Sequence, residues 1–488
     1  MSEKSGKNVM YAKEVFLLRS ACLITALLIS FSLMSGVSEA AAYLNNPQHI
    51  NEGRPIMSGD TVYLSRDLQP NQANEWKPGI TVASGFKGAQ IINVSVDVQS
   101  FESDGIRISG DAAAVIKKSH ANSAAKTAFG AGVGIYNNSS ADISESSFQS
   151  VGGWENSAVA AVGNSFVRIS SSDVVTDGFQ RGHAGVYVGT NSSGDVSGNK
   201  ITVIEKSPNS AGIPDQAFGY GVHVDKKSYA KVTGNTIELK ITAGTGDSGS
   251  TGIYADKSSA VDSSGNTFKS NGKGMLGISA NEGSVITSVG DTFVADGPWS
   301  KAFQIYSNSV AVIRSADITA NGGTGEVKNG DSPLAMKDTS RGIDVANNSK
   351  VDVSGSVIKM KGDSSNAISV MADSYGKIEK TTIETNGASS HGIEVVGTPW
   401  YWGAPSNTAS ADIKDVKIHT TGSRSNGLRV ENLADVRAEN VEITTLGKSA
   451  HAVYSNGGGV GASADIKGGK IATSDASAGY GFNKASIT

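Results

Sequence analysis

From about residue 80 onward the chain alternates apolar and polar residues in short runs, and the runs recur. The recurrence is best followed through one anchor, a β-branched or aromatic residue with another strand-type residue five places before it. The anchors are Phe148, Val174, Ile201, Ile237, Phe268, Phe293, Ile318, Ile358, Ile383, Ile418, Ile443 and Ile471. They are spaced 26, 27, 36, 31, 25, 25, 40, 25, 35, 25 and 28 residues apart, so the floor is 25 and larger intervals are 25 plus an insertion. Each unit shows three strand-like pieces, as in Gly342-Ile343-Asp344-Val345, Lys350-Val351-Asp352-Val353 and Val357-Ile358-Lys359-Met360. The period of two puts one side of each piece inward and the other in water. Helical periodicity is almost absent after residue 42.

Between the second and third pieces a turn recurs: Ser197-Gly198-Asn199, Thr233-Gly234-Asn235, Ser264-Gly265-Asn266 and Gly290-Asp291. Gly and Asn tolerate the positive φ of a sharp corner, and the Asn side chains are placed to bond to their copies one unit away. A three-strand unit of about 25 residues is the size of one coil of a right-handed parallel β-helix, whose strands pair ~4.8 Å above and below. One coil cannot bury its apolar face alone, so the stack is the domain. A propeller blade needs roughly 40 or more residues and four strands; a leucine-rich repeat would show Leu at fixed offsets, and Leu is scarce here.

The ends depart from the pattern. Lys4, Lys7, Lys13 and Arg19 precede the apolar run Ala21 to Met34, and small residues follow at Ser38, Ala40, Ala41 and Ala42. Fourteen residues rise only ~21 Å as a helix, against ~30 Å of hydrocarbon, so residues 1–40 are expected to be a cleaved export signal. Residues 41–80, with Pro47, Pro55, Pro70 and Pro78, are expected to cap an open β edge. Residues 81–488 are expected to form the solenoid, with a new unit begun at Gly479-Tyr480-Gly481-Phe482 and expected to be unfinished.

Composition narrows the class. The formal net charge is −4; losing four basic and three acidic residues with the signal makes it −5. The 42 basic residues are spread evenly, which excludes the clustered basic face of a nucleic-acid binder. The one cysteine, Cys22, lies inside the signal, so the mature chain has neither disulfide nor thiolate chemistry. No cofactor or metal is expected.

Units such as Ala411-Asp412-Ile413-Lys414-Asp415-Val416-Lys417-Ile418 followed by Asn426-Gly427-Leu428-Arg429-Val430, with the export signal and cysteine-free mature chain, resemble the pertactin-like passengers of autotransporters over roughly residues 80 to 488. That resemblance implies a pectin-lyase-like β-helix exported by type V secretion and displayed on the bacterial outer membrane or released from it. It also implies an adhesin role and two kinds of partner: a host-cell surface protein or glycan, and an outer-membrane β-barrel translocator. No run of ten-residue amphipathic strands with aromatic girdles follows the repeats, so the barrel would be a further part of this protein or a separate chain.

Insertions at 203–219, 243–250 and 323–340 fall between the third strand of one unit and the first of the next, which predicts loops along one edge. Such loops form a binding face or reflect drift at a tolerant corner. A fourth insertion, 397–408, falls at a different corner and sets Trp400, Tyr401 and Trp402 side by side. Adjacent rings cannot all face inward, so these three are the candidate ligand-contact residues, unless the loop folds back over its own coil. Gly246-Asp247-Ser248-Gly249-Ser250 resembles the nucleophile loop of chymotrypsin-like proteases. The upstream histidines His49, His120, His183 and His223 lack that family's context, and a Gly/Ser-rich corner explains the motif.

No catalytic residues are assigned. The rival is a polysaccharide lyase or hydrolase on the same fold, which would group carboxylates on one face. Asp142, Asp195, Asp352, Asp412 and Asp465 recur just before a second-strand apolar residue, interrupted by Arg168 and Lys231; this is the pattern of solvated outward positions. Three or more acids with a base in one groove would favour the enzyme.

Overall fold

The computed structural model describes residues 61–65 and most of 78–488, apart from 83, 100–103, 125–129, 153–154, 179–181, 207–218, 244–249, 273, 323–339, 398–406, 459, 476–477 and 483–484. The described residues are all-β, and the chain is a parallel β-solenoid. It divides into two compact units. Unit 1 holds the described residues up to Ile204 together with Gly219–Asn235 and Ala255–Asp262; unit 2 holds Thr236–Tyr254 and Ser263–Thr488 among its segments.

In unit 2 the three predicted pieces are strands Arg341–Val345, Lys350–Ser354 and Val357–Met360. Each turns its β-branched or long apolar residues inward: Ile343, Val345, Val351, Val353, Ile358 and Met360 are all buried. First strands stack only on first strands, as Leu276–Ala280, Lys301–Ile305 and Arg341–Val345 do, and second and third strands likewise keep their own columns. The anchors are register partners from coil to coil: Ile237, Phe268, Phe293, Ile318, Ile358, Ile383, Ile418, Ile443 and Ile471. All are buried but Ile471, which is 40% exposed, because among the described residues no third strand stacks beyond it. Insertions do not disturb register, since Ile313 and Val353 are partners 40 residues apart, whereas Phe293 and Ile318 are 25 apart.

Unit 1 is built the same way, with first strands Ala131–Tyr136, Ser157–Val162, His183–Gly189 and Gly219–Asp225 in one parallel sheet. Its anchor column continues upstream of Phe148 through Ala121 and Val96. Thr61–Ser65, inside the expected cap, pairs in parallel with Ser95–Gln99.

Hydroxyls and amides at the corners tie coil to coil. In unit 1 the backbone N–H of Ser139 donates to Ser165 Oγ (3.3 Å), that of Ser165 to Ser192 Oγ (3.0 Å) and that of Ser192 to Ser228 Oγ (3.2 Å). The N–H groups of Ser284, Ser309 and Ser349 in unit 2 donate to Ser309, Ser349 and Ser374 in the same way. At the other corner Asn199 Nδ2 donates to Asn235 Oδ1 (3.0 Å), and Asn266 Nδ2 to Asp291 Oδ1 (3.0 Å), so the corner amides bond across coils as the turn pattern implies. A buried donor that would otherwise lack a partner is satisfied at each step.

Candidate functional site

In unit 2 the outward-facing positions of the first strands form a register column, Ser279, Gln304, Asp344, Ser369, Glu394, Arg429, Tyr454 and Tyr480. Outward positions in a solenoid are ordinarily wet, yet Ser279, Asp344, Ser369 and Glu394 are buried. The charges there are matched at close range. Asp344 lies 2.6 Å from Lys301 Nζ and 2.9 Å from Arg341 NH1, and it accepts a hydrogen bond from Tyr306 OH at 2.7 Å. Burial alone would push its carboxyl up, but Arg341 and Lys301 win and hold it down at about 2.

Two coils further on, Glu394 accepts from Asn366 Nδ2 (2.8 Å), Ser369 Oγ (3.2 Å) and Arg429 NH1 (2.9 Å). Burial opposes its charge, while Arg429, His391 and Arg341 lower its pKa on balance. The second arm of Arg429 reaches Glu431 Oε2 at 2.9 Å; burial raises the Glu431 pKa against that pull. His391 Nδ1 accepts from Asn426 N (3.0 Å), and its Nε2 stands 3.3 Å from Arg429 NH1. Burial, then Arg429, press the imidazole down to about 4, so it is neutral at pH 7. The column ends in a ring stack, His451 on Tyr480 at 4.8 Å and Tyr454 on Tyr480 at 5.9 Å, with Tyr480 44% exposed.

Unit 1 carries smaller clusters on its first strands. Asp104, fully buried, pairs with Arg107 Nε (2.7 Å), and Tyr136 OH donates to it (3.1 Å). Tyr187 OH donates to Asp225 (3.2 Å), which is also 3.4 Å from Lys257 Nζ. The ring of His223 lies between Tyr187 and Tyr220 and is pressed down to about 4 by burial.

Asp344, Glu394 and Glu431 with Lys301, Arg341 and Arg429 are three acids and bases in one place, the composition that would favour carbohydrate chemistry. The geometry differs from a working acid pair: the carboxylates are enclosed and already bonded to cations and amides, whereas general acid or base chemistry needs one within reach of substrate. Among the described residues no group of three or more His, Cys, Asp or Glu is arranged to hold a metal ion.

Trp400, Tyr401 and Trp402 lie outside the described residues, as do 207–218, 244–249 and 323–339 of the other insertions and Ser248 of the Gly-Asp-Ser-Gly motif. Ser250, which ends that motif, is buried and donates its hydroxyl to Glu205. The recurring acids are half-exposed, or exposed at Asp412, and alternate with cations across coils: Arg168 lies 3.3 Å from Asp142 and 3.9 Å from Asp195, and Arg314 lies 2.8 Å from Asp352. Such surface pairs contribute little stability. The buried column was missed because a charged residue between two apolar ones, as in Ile343-Asp344-Val345, reads as an ordinary outward position.

No family model matches the chain, and no curated protein matches it. Among solved structures, a chain of the Vag8–C1 inhibitor complex, determined by cryo-EM, is similar at 11% identity and a TM-score of 0.43, over 88% of this chain and 99% of that one.

Proposed function

We propose that the mature chain is an exported β-solenoid of the autotransporter-passenger type, displayed on the bacterial surface or released from it, acting as an adhesin or binding module without catalytic residues. Its partners are a host-cell surface protein or glycan and, during export, an outer-membrane β-barrel translocator. Residues 1–40 serve as the removed signal and 41–80 as the cap.

One observation carries the reading. Insertions at 243–250 and 323–340 each leave a third strand and return to a first strand, and register is kept around the longer one. In the coils that follow, the same corner is a short turn, as at Lys361-Gly362-Asp363-Ser364-Ser365 between Val357–Met360 and Asn366–Met371. A scaffold that holds its pairing around added segments can vary them for recognition. The 397–408 insertion, with Trp400, Tyr401 and Trp402, joins a first strand, Ile393–Val396, to a second, Ala409–Lys414, and supplies the aromatic contacts. The polysaccharide lyase or hydrolase remains the rival because of the Asp344, Glu394 and Glu431 cluster; the closure of that cluster speaks against it.

The test replaces 323–340 by the five-residue turn of 361–365 and, separately, changes Trp400, Tyr401 and Trp402 to Ser. Binding of purified 41–488 to cultured host cells is then followed by flow cytometry. Loss of binding with an unchanged β circular-dichroism spectrum is the expected result. Undiminished binding by both variants would overturn the corner-loop reading.

A further inference from the structure

A second surface of unit 1 is concave. A groove of about 890 Å³ runs along the corner between second and third strands, lined in part by Asn93, Lys118, Glu145, Ser171 and Gly198. These five belong to successive coils, and each is the single left-handed residue of its corner, with φ between 48° and 63°. The residue after each is buried: Val94, Ser119, Ser146, Ser172 and Asn199. The residue after that opens the third strand and faces out: Ser95, His120, Ser147, Asp173 and Lys200. The groove therefore has a buried floor flanked on either side by exposed or half-buried residues, and its lining repeats once per coil.

We propose that this groove binds a linear, uncharged glycan lengthwise, about one sugar residue per coil. Three observations support that ligand. Register partners recur every ~4.8 Å along the stack, close to the length of one pyranose in an extended chain. A peptide advancing ~3.3 Å per residue would match the lining only at every second coil, and the strands bordering the groove already have their backbone groups paired with the coils above and below. The charges cancel: Lys118 and Lys200 stand against Glu145 and Asp173, and Glu145 is already 3.1 Å from Lys117 and 3.9 Å from Lys118. A polyanion or polycation has no net field to follow there. The walls also offer the small polar groups of Asn93 and Ser171, which are exposed, and of Ser95 and Ser147, which are half-buried, for sugar hydroxyls. The site is separate from the corner insertions, so it stands independently of the corner-loop reading.

Isothermal titration of purified 41–488 with cello-, manno- and xylo-oligosaccharides, from monosaccharide to octasaccharide, tests it, with galacturonate oligomers as the charged comparison. The expected result is an affinity that climbs with length up to the pentasaccharide and then levels off, with galacturonate oligomers weaker by on the order of tenfold. Ser147→Trp, which fills the groove between His120 and Asp173, and Ser171→Tyr on the exposed wall should each abolish binding with the circular-dichroism spectrum unchanged. Lys359→Gln, exposed on the strand Val357–Met360 of unit 2, should leave it intact. Absence of binding by every neutral oligosaccharide, affinity independent of length, or full binding by both groove variants would overturn the proposal.

Discussion

Arg341 and Asp344 are three residues apart on one strand and form an ion pair of 2.9 Å with both side chains enclosed, on the face of the sheet that points away from the apolar core. Lys301 reaches the same carboxylate from the neighbouring coil. Removing one member of a buried pair strands its partner, a loss of about 3 kcal/mol or more. Arg341→Met should destabilise unit 2 by that order in urea titrations, with Lys301 keeping the loss at the low end. Adding both Asp344→Leu and Lys301→Met to Arg341→Met, which removes the three charges together, should restore part of the stability if the cluster is structural.

The ring of His391 gives the fold a specific acid sensitivity. Unfolded, it takes a proton near pH 6.5; folded, near 4. Between those values the unfolded state binds more protons, so stability rises with pH. The contribution is fully present above about pH 6.5 and is lost as pH falls to about 4, on the order of 3 kcal/mol in all. Urea titrations across that window should show a smaller fall for His391→Gln than for the native chain.

Asn235 takes the Asn199 backbone N–H at 2.9 Å and the Asn199 amide at 3.0 Å, and donates to Val196 O at 2.8 Å. Asn235→Ala would leave several buried groups without partners, each costing about 1–3 kcal/mol. Hydrogen exchange of the strands on either side should rise, while exchange elsewhere in the stack changes little, because stacked coils are stabilised by their neighbours.

Anchors need a small residue opposite. Phe268 and Phe293 stack at 4.5 Å and 6°, and a Cβ added at Gly277 would stand 2.5 Å from the Phe293 ring and 2.6 Å from Ala302 O. Gly277→Val should cost about 1–3 kcal/mol or more, whereas Phe293→Leu combined with it should recover some of the loss, both read from thermal melts.

The sequence carried the coil because its information is periodic. Ile318, Ile358 and Ile383 could be aligned from their spacing alone, and they are register partners. The Asn199 to Asn235 bond was legible from the Gly-Asn corner. The serine column was not, although Ser284, Ser309, Ser349 and Ser374 each stand just before a second strand; in a Ser-rich chain a single hydroxyl carries no contrast. The enclosed cluster around Asp344 and Glu394 was illegible for a different reason. Alternation reports which side of a strand a residue faces, not what covers that side, and Asp352, on the next strand of the same coil, faces outward and is half-exposed.

The most direct test of a binding rather than a catalytic solenoid is to incubate purified 41–488 with uronate and neutral polysaccharides and follow chain length by size-exclusion chromatography. Unchanged length for every polymer, with binding permitted, is the predicted result. Shortening that disappears in Asp344→Asn or Glu394→Gln would contradict the account and make the enclosed cluster an active site.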